Sequence, residues 1–167
     1  MTPQNAKAKV LELLSEINRP GIDKVVEFLN TSNYFTSARC YRHHRCKHGL
    51  MMHSLEVLDV MLKNNKFGIS RESIIILALF HDLGKATING KEIGSGMHPS
   101  RSIAILNECR FELREDEQRA ILNHHPGKNI LKMAAALGNP HQLLLHIGDC
   151  TSTGIYKKGS AYCFSCI

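Results

Sequence analysis

The sequence has no tryptophan and only 6% aromatic residues, so a folded core must be built from aliphatic side chains and methionine. It has no apolar stretch near the length of about 20 residues that a membrane-spanning helix needs, and we therefore expect no membrane partner. Its first residues lack the apolar block of a secretory signal peptide, which leads us to expect a cytoplasmic protein.

What is present suits a single folded domain. The chain has 167 residues, of which 43% are hydrophobic, enough to bury one core and too many for a disordered segment. We therefore predict one domain over residues 1–167. The formal charge of +6 favours an anionic ligand, such as a nucleotide or another phosphorylated small molecule. This charge is below what a dedicated DNA-binding surface usually carries.

The cysteines leave two interpretations open. Cys163 and Cys166 have the C-x-x-C spacing of a zinc or redox site, and Cys40 with Cys46 could supply two further zinc ligands. The separation of Cys40 from Cys46 is too long for a zinc knuckle, however. The alternative is that all four are free, reduced thiols, as expected in a cytoplasmic protein.

Apolar residues recur at helical spacing along most of the chain, and the alternation typical of strands is rare. Capping residues precede several of these segments, including Thr2, Ser70 and Asn139. Three consecutive isoleucines favour a strand near residue 75, but the length of that run and the lack of a partner strand favour a buried helix. We predict the all-α class, a compact single-domain helical bundle. The predicted helices span about 3–17, 22–29, 49–62, 71–82, 98 onward, 115–124, 129–138 and 140–152, with a loop over 88–96. Gly84 is expected to stop the helix over 71–82.

A histidine and an aspartate, His81 and Asp82, follow a run of seven apolar residues from Ile74 to Phe80. Both side chains are costly to bury unless something binds them, and a metal ion is the obvious partner. A mixture of imidazole and carboxylate ligands suits Fe, Mn, Ni, Co or Zn. Further candidate ligands are spread along the chain: His53, His98, His124, His125 and Asp149.

Four segments resemble the HD superfamily of metal-dependent phosphohydrolases. The segment His81-Asp82-Leu83-Gly84-Lys85 resembles its name-giving motif. Residues 43–53, HHRCKHGLMMH, are similar to the HH-x4-GLL-x-H segment of bacterial HD-type 3′→5′ exoribonucleases. Residues 122–127 resemble the second histidine pair, and residues 145–149 resemble the closing helix with its last aspartate. The resemblance covers about residues 33–155.

This resemblance implies a site for two divalent transition metal ions. Asp82 would bridge the two ions and, with Lys85, act as a catalytic residue. Lys85 would also meet a substrate phosphate; the alternative is a simple favourable charge at a helix C-terminus. The ligands implied for the first ion are His53, His81, Asp82 and Asp149, and those for the second are His98 and His124 with Asp82.

Two further histidines are implied to face the substrate. His44 is one, and His125 is either a substrate contact, which we favour, or a further metal ligand. The reaction implied is hydrolysis of a phosphate ester bond of a nucleotide or a short nucleic-acid end by a metal-activated water.

Two other functions stay open. One is a 3′→5′ exonuclease, although those enzymes carry an additional OB-type domain for which residues 1–32 are too short. The other is an inactive HD module that binds a nucleotide, although all six implied ligand positions hold ligand-type residues. The cyclic dinucleotide phosphodiesterases of the superfamily carry a GYP-containing segment, which is absent from Pro126-Gly127-Lys128-Asn129.

Overall fold

Seven α-helices make up most of the part of the chain that the structure, a computed structural model, describes. The described residues are 1–37, 47–92, 94, 97–125 and 138–153. This architecture confirms the predicted all-α class. The helices are α1 (Pro3–Ser15), α2 (Ile22–Thr31), α3 (Gly49–Asn64), α4 (Arg71–Phe80), α5 (His98–Glu108), α6 (Glu115–Leu122) and α7 (Pro140–Ser152).

Three of the predicted caps start helices as expected. Thr2 accepts a hydrogen bond from the Asn5 amide at the start of α1. Ser70 accepts one from the Ser73 amide before α4, and Asn139 accepts two in the first turn of α7. These side chains satisfy backbone donors that have no partner inside the helix, which fixes where each helix begins.

Helix α4 is the centre of the core. Every residue from Ser73 to Phe80 is buried, including the three isoleucines. Each fully buried isoleucine contributes about 1.5–3 kcal/mol through loss of apolar surface from water, and burial on all sides explains why the helix prevails over strand propensity. Helices α3 and α7 pack against α4 and against each other. Gly148 allows that contact, because a Cβ there would lie 2.9 Å from the Met61 Cγ.

The end of α4 differs from the prediction over residues 71–82. The helix ends at Phe80, with His81 as its C-cap, and Asp82 precedes a separate 3-10 helix at Leu83–Lys85. Gly84 therefore lies inside this short helix and does not simply stop α4. Its role is close packing: a Cβ on Gly84 would lie 2.7 Å from both the Arg101 Cβ and the Ser102 amide nitrogen in α5.

Two further boundaries correct the prediction. Helix α6 ends at Leu122, because Asn123 leaves the helical conformation with φ −117°, so His124 lies beyond the helix. The segment predicted as a loop over 88–96 begins with an antiparallel hairpin of β1 (Thr87–Ile88) and β2 (Lys91–Glu92). Its turn is Asn89-Gly90, both with positive φ, the pair that two-residue hairpin turns favour and that sequence analysis overlooked.

A charged network ties the segment between α1 and α2 to α4 and α6, at the end of α4 opposite to His81. The Arg19 guanidinium donates to Glu72 at 3.0 Å and to the buried Glu117 at 2.6 Å. Ser73 Oγ also donates to Glu117, at 2.7 Å. Burial by itself would raise the pKa of Glu117, but the bonds from Arg19 and Ser73 outweigh it and lower that pKa. Among the described helices, none is both long enough and apolar enough to cross a bilayer.

Candidate metal centre

Helices from distant parts of the chain bring seven histidine and aspartate side chains to one place. His53 comes from the middle of α3, and Asp149 comes from α7. His81 and Asp82 follow α4, His98 is the first residue of α5, and the remaining two, His124 and His125, follow α6. His53, His81, Asp82 and His124 are fully buried, and Asp149 is almost so.

Asp82 lies between two groups of side chains. We call His53, His81 and Asp149 the inner cluster. The His53 Nε2 is 3.1 Å from the Asp149 Oδ1 and 3.2 Å from the His81 Nε2. The Asp82 Oδ2 faces this cluster, at 3.6 Å from the His53 Nε2 and 3.4 Å from the His81 Nε2.

The outer cluster consists of His98, His124 and His125. The other carboxylate oxygen of Asp82, Oδ1, faces this cluster, at 3.2 Å from the His98 Nε2 and 3.7 Å from the His124 Nε2. The two Nε2 atoms of His98 and His124 are 3.4 Å apart. His125 joins the inner and outer clusters, because its Nδ1 is 3.4 Å from the Asp149 Oδ2.

Hydrogen bonds on the far side of the rings hold three imidazoles in position. The Nδ1 of His81 donates to the Ala78 carbonyl at 3.0 Å, and the Nδ1 of His124 donates to the Ile121 carbonyl at 2.6 Å. With the proton on Nδ1, the Nε2 lone pair is available as a metal ligand.

Ser152 does the same for His53. Its hydroxyl donates to the Asp149 carbonyl at 2.9 Å, so its oxygen accepts from the His53 Nδ1 at 3.0 Å. Sequence analysis missed this role of Ser152. The available signal was its position three residues after Asp149 in the same helix, which places the two residues on one face.

The buried charges are balanced in a way that keeps the donor atoms in their metal-binding forms. Burial would raise the pKa of Asp82, but the electrostatic influence of His81 and of the Lys85 ammonium, together with the hydrogen-bonding contacts of His124 and His81, outweighs it and holds that pKa well below the usual range. Burial lowers the pKa of His124. Burial, with the neighbouring His124, also lowers the pKa of His125 to about 3. Asp82 is therefore ionised and both histidines are neutral, as ligands must be.

The Lys85 ammonium lies 2.6 Å from the Asp82 Oδ2 and is largely shielded from solvent. It donates to the same oxygen that faces the inner cluster. This ion pair places Lys85 where it can orient the Asp82 carboxylate, whereas its contact with a substrate phosphate stays a prediction.

The donor atoms fit metal binding. Two groups have ligand atoms within 4.8 Å of one another: His53, His81 and Asp82, and then Asp82, His98, His124 and His125. Ligands on one ion with bonds near 2.1 Å lie about 3.0–3.4 Å apart, which is the range of the shortest nitrogen and oxygen separations here. Imidazole nitrogens with carboxylate oxygens suit Fe, Mn, Ni, Co or Zn.

The structure brings together every predicted metal ligand and places Lys85 and His125 beside them. It also shows that Met97, and not His98, is the N-cap of α5, so the His98 side chain is not used for capping. Other predictions lie outside the described residues: those for His44, for Cys40, Cys46, Cys163 and Cys166, and for most of the helix over 129–138. Neither of the described cysteines, Cys109 and Cys150, forms a disulfide.

Comparison with protein families gives a result that agrees with this geometry. The model of the HD domain family matches residues 50–149, a range that contains all six predicted metal ligands. No curated protein and no solved structure matches the chain. The resemblance to the HD superfamily is thereby confirmed, whereas the more specific resemblance to exoribonucleases stays a prediction. Members of the family are mostly metal-dependent hydrolases, and the matched range covers more than half of the sequence. The chain therefore belongs to the HD domain family.

Proposed function

We propose that this protein is a phosphohydrolase that uses two divalent transition metal ions to hydrolyse a phosphate ester bond of a nucleotide or a short nucleic-acid end. One observation carries the proposal. The two carboxylate oxygens of Asp82 face two different sets of histidine nitrogens, Oδ2 toward His53 and His81, and Oδ1 toward His98 and His124. A carboxylate in this arrangement is suited to bridge two ions.

The inner cluster would hold one ion and the outer cluster the other, with Asp82 common to both. When bound, such ions lower the pKa of a water molecule and polarise the phosphoryl oxygens, which is the chemistry that hydrolysis of a phosphate ester needs. The protein supplies the groups that would bind these ions: neutral imidazoles, which add no charge, and one carboxylate shared by both clusters.

Lys85 and His125 have properties that suit substrate contacts. The Lys85 ammonium is close to Asp82 but retains some exposure, so it can turn toward a phosphate oxygen and stabilise negative charge there. The side chain of His125 is 41% exposed, the most open position in the site. Its pKa of about 3 keeps it neutral at pH 7, able to donate to a phosphate oxygen through one ring nitrogen. The formal charge of +6 adds a general attraction for anions.

The test is a panel of nucleoside mono-, di- and triphosphates and short oligonucleotides, incubated with the purified protein in Mn²⁺ and in Fe²⁺. We expect phosphate or nucleotide release that depends on the metal and disappears in Asp82→Ala. Release from oligonucleotides alone would favour the exonuclease. Tight binding of a nucleotide without turnover under any metal condition would contradict the proposal and favour the inactive binding module.

A further inference from the structure

The 3-10 helix at Leu83–Lys85 and the first turns of α5 are in backbone contact. This contact sets the distance between Asp82 and His98. Asp82 immediately precedes the 3-10 helix, and His98 is the first residue of α5. At Gly84 the two segments are so close that a Cβ would collide with the His98 carbonyl and lie 2.7 Å from the Ser102 nitrogen. A small change in this contact would therefore move His98 relative to Asp82.

One side chain, Ser102, fastens the contact. Its fully buried hydroxyl oxygen accepts a hydrogen bond from the Gly84 amide at 2.8 Å. The same oxygen lies 3.0 Å from the His81 carbonyl and 3.0 Å from the His98 carbonyl, so its single proton is donated to one or the other. Ser102 thus connects the backbone of two predicted ligands with the turn between them. Arg101 adds a weaker, partly exposed link, since its Nε donates to the Gly84 carbonyl at 2.9 Å.

In the inner cluster another serine, Ser152, has a comparable supporting role. Ser152 joins the His53 ring to the Asp149 carbonyl, and these groups lie on α3 and α7. The two serines contact different groups: Ser102 also reaches the backbone carbonyl of the inner ligand His81, but the His81 ring itself is held by its Nδ1 bond to the Ala78 carbonyl. A loss of the Ser102 hydroxyl therefore acts first on the distance between His98 and Asp82, which is now 3.2 Å between the Nε2 and the Oδ1.

We infer that Ser102 is a positioning residue that sets the affinity of the outer cluster for its ion, and that Ser152 holds the inner cluster. The inference rests on the proposed function in one respect, that both clusters bind ions. Ser102 donates to backbone carbonyls only, so it acts through the placement of His98 and not by touching an ion or a substrate. Removal of a residue that orients a metal ligand commonly weakens metal affinity about 10–100-fold.

The experiment is calorimetric titration of the full chain with Mn²⁺, after metal removal, combined with Mn²⁺ electron paramagnetic resonance. Wild-type protein should bind two ions, and the resonance should show the coupling of two neighbouring ions. Ser102→Ala should bind one ion with unchanged affinity and the second about 10–100-fold more weakly, with loss of the coupled signal. Ser152→Ala should weaken the inner ion instead.

Ser73→Ala is the matched control. Ser73 is also a fully buried serine, but it donates to Glu117 at the end of α4 opposite to His81. Its loss should lower stability and leave both metal affinities unchanged. If Ser102→Ala does not fold, Arg101→Ala decides the matter, because it removes a more exposed link between the same segments and should weaken the same ion several-fold.

The outcomes separate the inference from the proposed function. If wild-type protein binds no ion, both the inference and the proposed function are contradicted. If wild-type protein binds two ions and Ser102→Ala, or Arg101→Ala in its place, retains both affinities or weakens both equally, only the inference is overturned.

Discussion

The inner and outer clusters are both rich in histidine but differ in where the chain supplies their side chains. The inner ligands His53 and Asp149 lie within helices α3 and α7, with side chains 0% and 3% exposed. In the outer cluster His98 is the first residue of a helix and is 16% exposed, and His125 follows a helix and is 41% exposed. Helix interiors hold side chains more firmly than helix ends, where backbone bonds fray.

We infer from this difference that the two clusters have different roles. The inner cluster is enclosed by the packed core of α3, α4 and α7, so it is suited to retain an ion permanently. The outer cluster is open to solvent on the side of His125, which under the proposed function is the side from which a phosphate would approach. The predictions below test this difference in role, beginning with Asp82, which lies between the two clusters.

The largest effect is expected from Asp82→Ala, which removes the only side chain common to both groups. Both ions should be lost, and turnover should fall by a factor of about a thousand or more, which corresponds to several kcal/mol of transition-state stabilisation. Elemental analysis, circular dichroism and turnover should be measured on one sample. Helical content should persist, and Asp23→Ala, at an exposed position on α2, is the control. Near wild-type turnover in Asp82→Ala would refute the bridging role.

His98→Ala should separate the clusters. The inner ion should remain, because its ligands do not include His98, whereas turnover should fall on the order of a thousandfold through loss of the outer ion. His53→Ala is the counterpart and should remove the inner ion. Metal content per folded chain is the measurement. Two ions bound to His98→Ala with unchanged turnover would refute the role of His98 as a ligand of the outer ion.

Lys85→Met should reduce turnover without removing the clusters. Methionine preserves much of the apolar stem but lacks the charge that now lies 2.6 Å from the Asp82 Oδ2. We expect two bound ions and a loss of about a hundred- to a thousandfold in kcat, the usual size for one charge-stabilising group. Steady-state kinetics on the substrate found in the panel is the measurement. Lys91, an exposed lysine of the hairpin, provides the control. An equal loss of turnover in Lys91→Met would mean that Lys85 acts only through the overall positive charge of the protein.

The smallest effect on the site is expected from Glu117→Gln, which weakens the buried network with Arg19. At pH 7 the free energy of unfolding should fall by about 1–3 kcal/mol, because the charged partner and Ser73 lose their carboxylate. The folded-state pKa of Glu117 lies below its ordinary value of 4.5, so its contribution to stability is complete above that pH and disappears as pH falls through the lowered pKa.

Urea unfolding of both proteins between pH 7 and pH 3 measures this difference. The gap between wild type and Glu117→Gln should narrow below about pH 4.5 as the wild-type carboxyl takes up its proton. Metal content and turnover at pH 7 should match wild type. A change in either would show that the network at the far end of α4 and the metal centre are coupled.

Local chemistry in the sequence was enough to predict most of the fold. The caps at Thr2, Ser70 and Asn139 depend on partners within three residues, and the structure confirms all three. The hairpin at Asn89-Gly90 was also local information, but its strands are only two residues long and give no alternating pattern. The end of α4 was predicted wrongly because Gly84 was treated as a local stop, whereas its requirement is a close contact with α5.

The sequence by itself determined the kinds of candidate metal ligand, their order along the chain and the existence of the helices in or beside which they lie, because these follow from residue type and from bonds within one or two helical turns. Only the tertiary structure decided which oxygen of Asp82 faces which cluster and which serines support them. Ser102 and Gly84 are 18 residues apart, and Ser152 and His53 are 99 apart. Such partners meet only when the helices pack, since no local pattern of residues specifies a hydrogen bond over that distance.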